Sequence, residues 1–214
     1  MKKQTKLYIA TALEALFVLW TFLVKTVDVA SVGPNGSAVG FSTLNTLFHR
    51  VTGVNMTLYT VTDWLGLVPI FVALCFAILG LCQWIKRKSI LLVDRDILAL
   101  GAFYLVVMTV YILFEYIVVN YRPVLINGYL EASYPSSTTM LVLCVIPTAV
   151  MQAKIRVKNK TARCALTTLL SLFTLFMVIG RLLSGVHWLS DVVGGALISA
   201  GLVFFYSAAA EKTE

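Results

Sequence analysis

Six long apolar runs restrict the folds open to this chain more than any other feature of its sequence. Hydrophobic residues make up 59% of the chain and charged residues 13%, about half the charged share of a typical soluble domain. Each run is long enough to cross about 30 Å of hydrocarbon as a helix. The sequence therefore predicts an all-α, polytopic membrane protein with six transmembrane helices. We expect them at about residues 7–24, 65–85, 97–119, 136–153, 164–180 and 188–210.

The segments between the runs are too short to separate two domains, so we expect one membrane-embedded domain over residues 1–214. A net charge of +7 can indicate nucleic-acid binding, but the basic residues cluster between apolar runs rather than along one polar face. No nucleic-acid partner is therefore expected. The four cysteines form no C-x-x-C pair and there are only two histidines, so the sequence predicts neither a metal site nor a cofactor.

Basic residues indicate how the chain is oriented in the membrane. All but four of the 17 lysines and arginines lie before the first run, between the second and third, between the fourth and fifth, or after the sixth, as Lys212 does. These positions share one side of the membrane, which the positive-inside rule makes cytoplasmic. We therefore expect a bacterial plasma membrane protein with both termini in the cytoplasm. Three segments then lie outside, at about residues 25–64, 120–135 and 181–187.

The first outer segment contains a short amphipathic pattern. Apolar residues recur there at helical spacing, and Gly53 follows them as a stop signal. This pattern predicts a short helix that lies in the membrane interface. The apolar residues are Phe41, Leu44, Leu47, Phe48 and Val51.

The second outer segment enters the fourth run through Pro135, Ser136, Ser137 and Thr138. Proline and hydroxyl residues suit the first turn of a helix. The unpaired N–H groups and the dipole of a helix start favour an anion, so these residues are candidates for binding one. Serines also begin many helices purely as caps, and the pattern alone leaves both interpretations open.

Four further polar residues beside the outer ends of the runs point to phosphate chemistry. Arg122 and Arg181 are cations where the positive-inside rule least expects them, and two guanidiniums with a helix start suit a phosphate group. His187 can act as a nucleophile or base, and Asp191, one helical turn deeper, can orient its imidazole through a hydrogen bond. The alternative is that His187 and Asp191 only stabilise a helix, but carboxylates inside a span usually mark a working site.

These residues resemble the motifs of the type 2 phosphatidic acid phosphatase superfamily of membrane lipid phosphatases. The stretch "GRLLSGVHWLSD" matches the family's third motif, Ser-Arg-x5-His-x3-Asp, with Gly180 in place of the serine. The stretch "PSST" retains the first two residues of the second motif, Pro-Ser-Gly-His. The stretch "EYIVVNYRP" retains the Arg-Pro of the first motif, Lys-x6-Arg-Pro.

The resemblance implies that His187 forms a phosphohistidine and that Asp191 orients it. It also implies that Arg122, Ser136 and Arg181 hold the phosphate, while Pro135 and Ser137 remain candidates from the helix start alone. The substrate is then a lipid phosphate or diphosphate, hydrolysed at the extracytoplasmic face.

Two positions depart from the family's pattern. Glu115 replaces the first-motif lysine, and Thr138 replaces the second-motif histidine, which is the usual acid for the leaving group. Partial burial of Glu115 would keep it protonated and let it supply that proton instead. His49, on the short interfacial helix, is a second candidate acid. The rival hypothesis is an impaired family member that binds or translocates a phospholipid without cleaving it.

Overall fold

A computed structural model describes residues 1–211, so Lys212 lies outside the described residues. That part of the chain is almost entirely helical, and it contains no β-strand beyond isolated bridges. We number its α-helices in chain order. They are α1 (Lys3–Thr26), α2 (Ser42–Thr52), α3 (Met56–Leu65), α4 (Leu67–Arg87), α5 (Arg95–Tyr116), α6 (Ser137–Arg156), α7 (Lys160–Leu183) and α8 (Leu189–Ala209).

Six helical segments are long and apolar enough to cross a membrane, as the sequence predicted, and the second of them is formed by α3 and α4 together over Met56–Arg87. That segment starts well before the predicted residue 65, and the other ends differ from the predicted ends by a few residues; α5, for example, stops at Tyr116 rather than at residue 119. The long segments α1 and α4 to α8 alternate in direction along the chain. One end of the bundle therefore carries the starts of α6 and α8, and we call it the site end.

The helix α3 was not predicted, because its threonines and an aspartate interrupt the apolar pattern. Asn55 begins α3 as an N-cap, and its side chain accepts a hydrogen bond from the Leu58 N–H at 2.9 Å. This cap satisfies one of the N–H groups that a helix start leaves unpaired. Gly66, which has helical dihedral angles, joins α3 to α4, and α3 lies at the site end against α7.

The helices α6 and α8 occupy the centre of the bundle, and α1 packs along α8. The segment that leads into α6 is clamped between α1 and α8 through Tyr134. The Tyr134 hydroxyl lies 2.6 Å from Thr21 Oγ1 on α1, and its ring stacks on Phe17. On its other side, a methyl group at Gly194 would lie 2.6 Å from the Tyr134 ring. The small residue on α8 therefore lets the segment before α6 approach closely.

The short helix predicted in the first outer segment is α2, and Gly53 ends it with a φ of 62°. Its buried face is polar and its exposed face is apolar. Asn45 is fully buried and hydrogen-bonds Ser190 at the start of α8, whereas Leu47 and Val51 are exposed. This inverted arrangement suits a helix whose apolar side faces lipid at the membrane interface.

Candidate active site

The imidazole of His187 lies between two guanidinium groups at the site end of the bundle. Its Nε2 atom is 3.1 Å from Nη1 of Arg122 and 3.2 Å from Nη2 of Arg181. All three side chains are buried. Residues from two separate stretches of the sequence, one around Arg122 and one from Arg181 to His187, therefore meet at one ring nitrogen.

Local backbone structure places each of these side chains. Arg181 lies in the last turn of α7, and a tight turn then carries the chain to His187. Gly185 in that turn has a φ of 68°, which favours glycine, and a side chain there would collide with the carbonyl oxygen of Gly53. Arg122 lies in the segment after α5, where its N–H donates to the Glu131 carbonyl oxygen at 3.0 Å.

The direct hydrogen bond between Asp191 and His187 that the spacing predicted is replaced by a contact through Ser133. The Ser133 Oγ atom lies 2.9 Å from His187 Nδ1 and 2.5 Å from Asp191 Oδ2. Asp191 is in the first turn of α8, and the same oxygen accepts the Trp188 N–H at 3.0 Å. Its other oxygen accepts from the Asn120 amide at 3.1 Å. Because Asp191 accepts the Trp188 N–H at the start of α8, its carboxylate points toward Trp188. The Ser133 hydroxyl lies between this carboxylate and the imidazole.

The environment of His187 favours the neutral imidazole. Burial, and then the positive charges of Arg122 and Arg181, hold its pKa well below the usual value of 6.5. Arginine is a donor without an acceptor, so Nε2 meets only N–H groups from these two side chains. Its lone pair therefore points at the two guanidiniums.

A cavity of about 700 Å³ opens beside the two arginines. Of the predicted site residues, five line it: Glu115, Arg122, Ser137, Thr138 and Arg181. Ser136 is fully buried instead; its hydroxyl lies 3.0 Å from Thr139 Oγ1, and its N–H donates to the Asp191 carbonyl oxygen. Pro135 is also buried and lines a separate small pocket.

Two carboxylates that sequence reasoning missed stand beside the arginines. Asp63 on α3 has its Oδ1 atom 3.4 Å from Arg181 Nη1, and Glu131 has its Oε2 atom 3.0 Å from Arg122 Nε. Tyr59, one turn before Asp63, places its ring centre 5.0 Å from the Arg181 guanidinium carbon. The spacing of Tyr59 and Asp63 on one helix face was a signal of a shared site, but α3 itself was not predicted.

The burial predicted for Glu115 is wrong. Its side chain is exposed on the cavity wall near the end of α5, because α5 ends one residue later and leaves this turn uncovered. His49, the second candidate acid, packs on the Trp188 ring at 5.5 Å between ring centres. Burial lowers the pKa of His49 as well.

Possible metal ligands are not gathered at this site. Within residues 1–211, no group of three or more histidine, cysteine, aspartate or glutamate side chains is arranged to hold a metal ion.

A helical membrane bundle in which an imidazole lies between two guanidiniums, and both guanidiniums line a polar cavity, fits the class of membrane proteins that bind a phosphate group. The chain belongs to the PAP2 superfamily, whose sequence profile it matches over residues 98–213. Membership of this superfamily supports a phosphatase function.

The fold is similar to that of a solved structure described as the first transmembrane PAP2 type phosphatidylglycerolphosphate phosphatase from Bacillus subtilis. The TM-score is 0.57, and 94% of each chain is covered at 20% sequence identity. At this identity the similarity concerns the fold. A comparison with curated protein sequences gave no match.

Proposed function

We propose that the protein hydrolyses a lipid phosphate or diphosphate through a phosphohistidine on His187. The observation that carries this proposal is the position of His187 Nε2, within 3.2 Å of guanidinium nitrogens of both Arg122 and Arg181. A nucleophile aimed between two phosphate-binding groups is the arrangement that phosphoryl transfer to histidine needs. A site that only binds phosphate has no use for an oriented imidazole.

In the first step a phosphate enters between the two arginines, and its non-bridging oxygens replace His187 as partners of the guanidiniums. The Nε2 lone pair forms the bond to phosphorus as the bond to the leaving oxygen breaks. Water then attacks phosphorus and returns a proton to the group that protonated the leaving oxygen, while the N–P electron pair returns to Nε2. The guanidiniums stabilise the charge that develops on the phosphoryl oxygens in both steps.

The start of α6 completes the proposed phosphate site. Ser137 and Thr138 line the cavity beside the arginines, where the unpaired N–H groups of a helix start favour an anion. We assign Pro135 and Ser136 to the support of this helix start, because both are buried beneath it. The Ser136 N–H also ties α6 to the Asp191 carbonyl oxygen at 3.0 Å.

We assign protonation of the leaving oxygen to Glu115, since Thr138 cannot readily donate a proton to an alkoxide at neutral pH. Both residues line the cavity. Because the Glu115 side chain is exposed on the cavity wall, the bound substrate itself has to exclude water from it. The lipid tail of a substrate that stays in the bilayer is suited to do so.

The site is proposed to face away from the cytoplasm. Lysines and arginines are concentrated in the loops between α4 and α5 and between α6 and α7, at the end of the bundle opposite the site. The positive-inside rule assigns that opposite end to the cytoplasm. Both termini share it, because six spans return the chain to the side where it began.

The exposure of Glu115 and the replacement at Thr138 favour a second candidate function. With no efficient acid for the leaving group, the same cavity would bind or translocate a phospholipid without cleaving it. The two functions differ in whether phosphorus becomes attached to His187.

The decisive experiment measures phosphate release and labelled phosphoenzyme with purified protein. The substrates are phosphatidate, phosphatidylglycerophosphate and a polyprenyl diphosphate in detergent micelles. We expect His187→Ala to abolish both signals. The chain has only two histidines, and the second, His49, packs on Trp188 and does not line the cavity, so we give it no part in the reaction. His49→Phe, which keeps a ring against Trp188, is therefore the matched control and should retain both signals. Lipid turnover that survives His187→Ala would refute the proposed mechanism. Lipid binding without release or labelling by wild type would favour the second function.

A further inference from the structure

Ser133 contacts both the imidazole and the carboxylate of the proposed catalytic pair. Its hydroxyl lies 2.9 Å from His187 Nδ1 and 2.5 Å from Asp191 Oδ2. We infer that Ser133 is a positioning residue, which fixes the imidazole with its proton on Nδ1 and connects it to Asp191. This inference rests on the proposed function of His187.

The neighbours of the imidazole determine which nitrogen carries its proton. Nε2 faces N–H donors from Arg122 and Arg181, so a proton on Nε2 would point at other protons. A neutral imidazole has one protonated nitrogen, which must therefore be Nδ1. The Nδ1–H group then donates to the Ser133 oxygen, and Nε2 keeps a free lone pair for attack on phosphorus.

The direction of the second hydrogen bond follows from the first. Ser133 has a single hydroxyl hydrogen, and its oxygen is already accepting from His187 Nδ1. The hydrogen therefore goes to Asp191, whose ionised carboxylate is acceptor-only. The result is a pair of linked hydrogen bonds, in which His187 donates to Ser133 and Ser133 donates to Asp191. The 2.5 Å distance between Ser133 and Asp191 suits a hydroxyl that donates to a carboxylate.

The surroundings hold Ser133 in this position. Its N–H donates to the Asn120 carbonyl oxygen at 2.9 Å, and the Asn120 amide donates to Asp191 at 3.1 Å. The next residue, Tyr134, is clamped between α1 and α8. Ser133 itself is 3% exposed. Burial and these contacts leave the hydroxyl little freedom to turn away.

These two hydrogen bonds, from His187 to Ser133 and from Ser133 to Asp191, matter most when His187 bonds to phosphorus. Formation of the N–P bond leaves the imidazole ring with a positive charge, while the leaving oxygen takes the P–O electron pair and a proton. The ring keeps its Nδ1 proton and shares it more strongly with Ser133. Ser133 in turn donates to Asp191, so the carboxylate stabilises the charged ring without touching it. Loss of the N–P bond to water reverses these changes.

The inference is tested first by a measurement that does not depend on turnover. In a His49→Phe background, His187 is the only histidine, and its two ring nitrogens can be assigned by ¹⁵N NMR. We expect a protonated Nδ1 with a strongly hydrogen-bonded proton. Ser133→Ala should remove the hydrogen-bonded signal, and Ser133→Thr, which retains a hydroxyl, should restore it. A proton on Nε2, or a signal unchanged by Ser133→Ala, would overturn the assignment.

A second measurement tests whether the contact serves the reaction. With ³²P-labelled phosphatidate in single turnover, Ser133→Ala should slow phosphoenzyme formation by about 10–100-fold, the range found when a metal-binding histidine loses the partner that orients it. Affinity for inorganic phosphate should stay unchanged, which separates positioning from collapse of the site. Adding Asp191→Asn to Ser133→Ala should cause little further loss, because both changes break the same pair of linked hydrogen bonds.

The possible results are distinguishable from a failure of the proposed function. Labelling that survives His187→Ala would refute the phosphohistidine itself. Labelling that requires His187 but keeps its full rate in Ser133→Ala would refute the role of Ser133 alone. If the losses in the rate of phosphoenzyme formation were fully additive in the double variant, that would also count against a connection from His187 through Ser133 to Asp191.

Discussion

Asp63 Oδ1 lies 3.4 Å from Arg181 Nη1, so an arginine that faces the imidazole is already paired with a carboxylate. Glu131 has the same relation to Arg122, at 3.0 Å. A phosphate that binds between the arginines, as proposed, therefore has to share each guanidinium with a carboxylate. In the proposed function, these carboxylates on the cavity wall would compete with a head group for the two arginines.

Removing either of these carboxylates should tighten substrate binding. We expect Asp63→Asn and Glu131→Gln to lower KM for phosphatidate about 1.4- to fivefold, because both carboxylates are exposed and ion pairs at a protein surface are worth about 0.2–1 kcal/mol. The effect should shrink as salt is raised. Steady-state kinetics at two ionic strengths measure it. Glu211→Gln, which removes a carboxylate paired with Lys6 at the opposite end, is the matched control. An unchanged or higher KM in both site variants would show that these pairs do not compete with substrate.

The pH dependence of the reaction should reflect the low pKa of His187. A histidine of ordinary pKa would gain a proton as the pH falls through 6.5 and lose its nucleophilic lone pair. Burial and the two arginines keep His187 neutral below that pH. We therefore expect kcat/KM, which reports the free enzyme, to show no loss from His187 between pH 7.5 and 6. The substrate phosphate also ionises in this range, so its ionisation is measured by ³¹P NMR and its contribution to the pH dependence of kcat/KM is removed. A remaining midpoint near 6.5 would contradict this view of the site.

Glu115→Gln should separate protonation of the leaving group from the attack of His187 on phosphorus. The amide keeps the shape of the side chain but cannot donate a carboxyl proton, so lipid turnover should fall by about 10²–10⁴-fold. An activated ester such as p-nitrophenyl phosphate needs no protonation of its leaving group and should still label His187. Stopped-flow and labelling assays on both substrates make the comparison. Unchanged lipid turnover would remove Glu115 from the mechanism.

Gly194→Ala should destabilise the protein through Tyr134. The added methyl group would lie 2.6 Å from a ring that Phe17 and Thr21 hold from the other side. Overpacking of this kind costs about 1–3 kcal/mol. Thermal unfolding in detergent should show a lower Tm, and activity should fall because Ser133 is adjacent. Gly101→Ala on α5, where a methyl group meets nothing within 4 Å, is the control and should be neutral or stabilising. Equal Tm values for the two variants would argue against the clamp.

The sequence by itself determined the six spans and the short α2 helix. Apolar runs of bilayer length have no other stable use, and the helical spacing around Leu44 and Leu47 is a local property of the chain. It also indicated the candidate site residues, since arginines and a histidine such as Arg122, Arg181 and His187 are unusual beside apolar runs.

Only the tertiary structure decided how these side chains are connected. The contact of Ser133 with His187 joins residues 54 positions apart, and that of Asp63 with Arg181 joins residues 118 apart. Serine and aspartate are common at helix ends and in loops, so neither carries a local pattern that distinguishes a partner from a bystander. The place of Ser133 between an imidazole and a carboxylate depends on the packing of α8 against the segment before α6. Packing between distant segments leaves no periodic trace in the sequence.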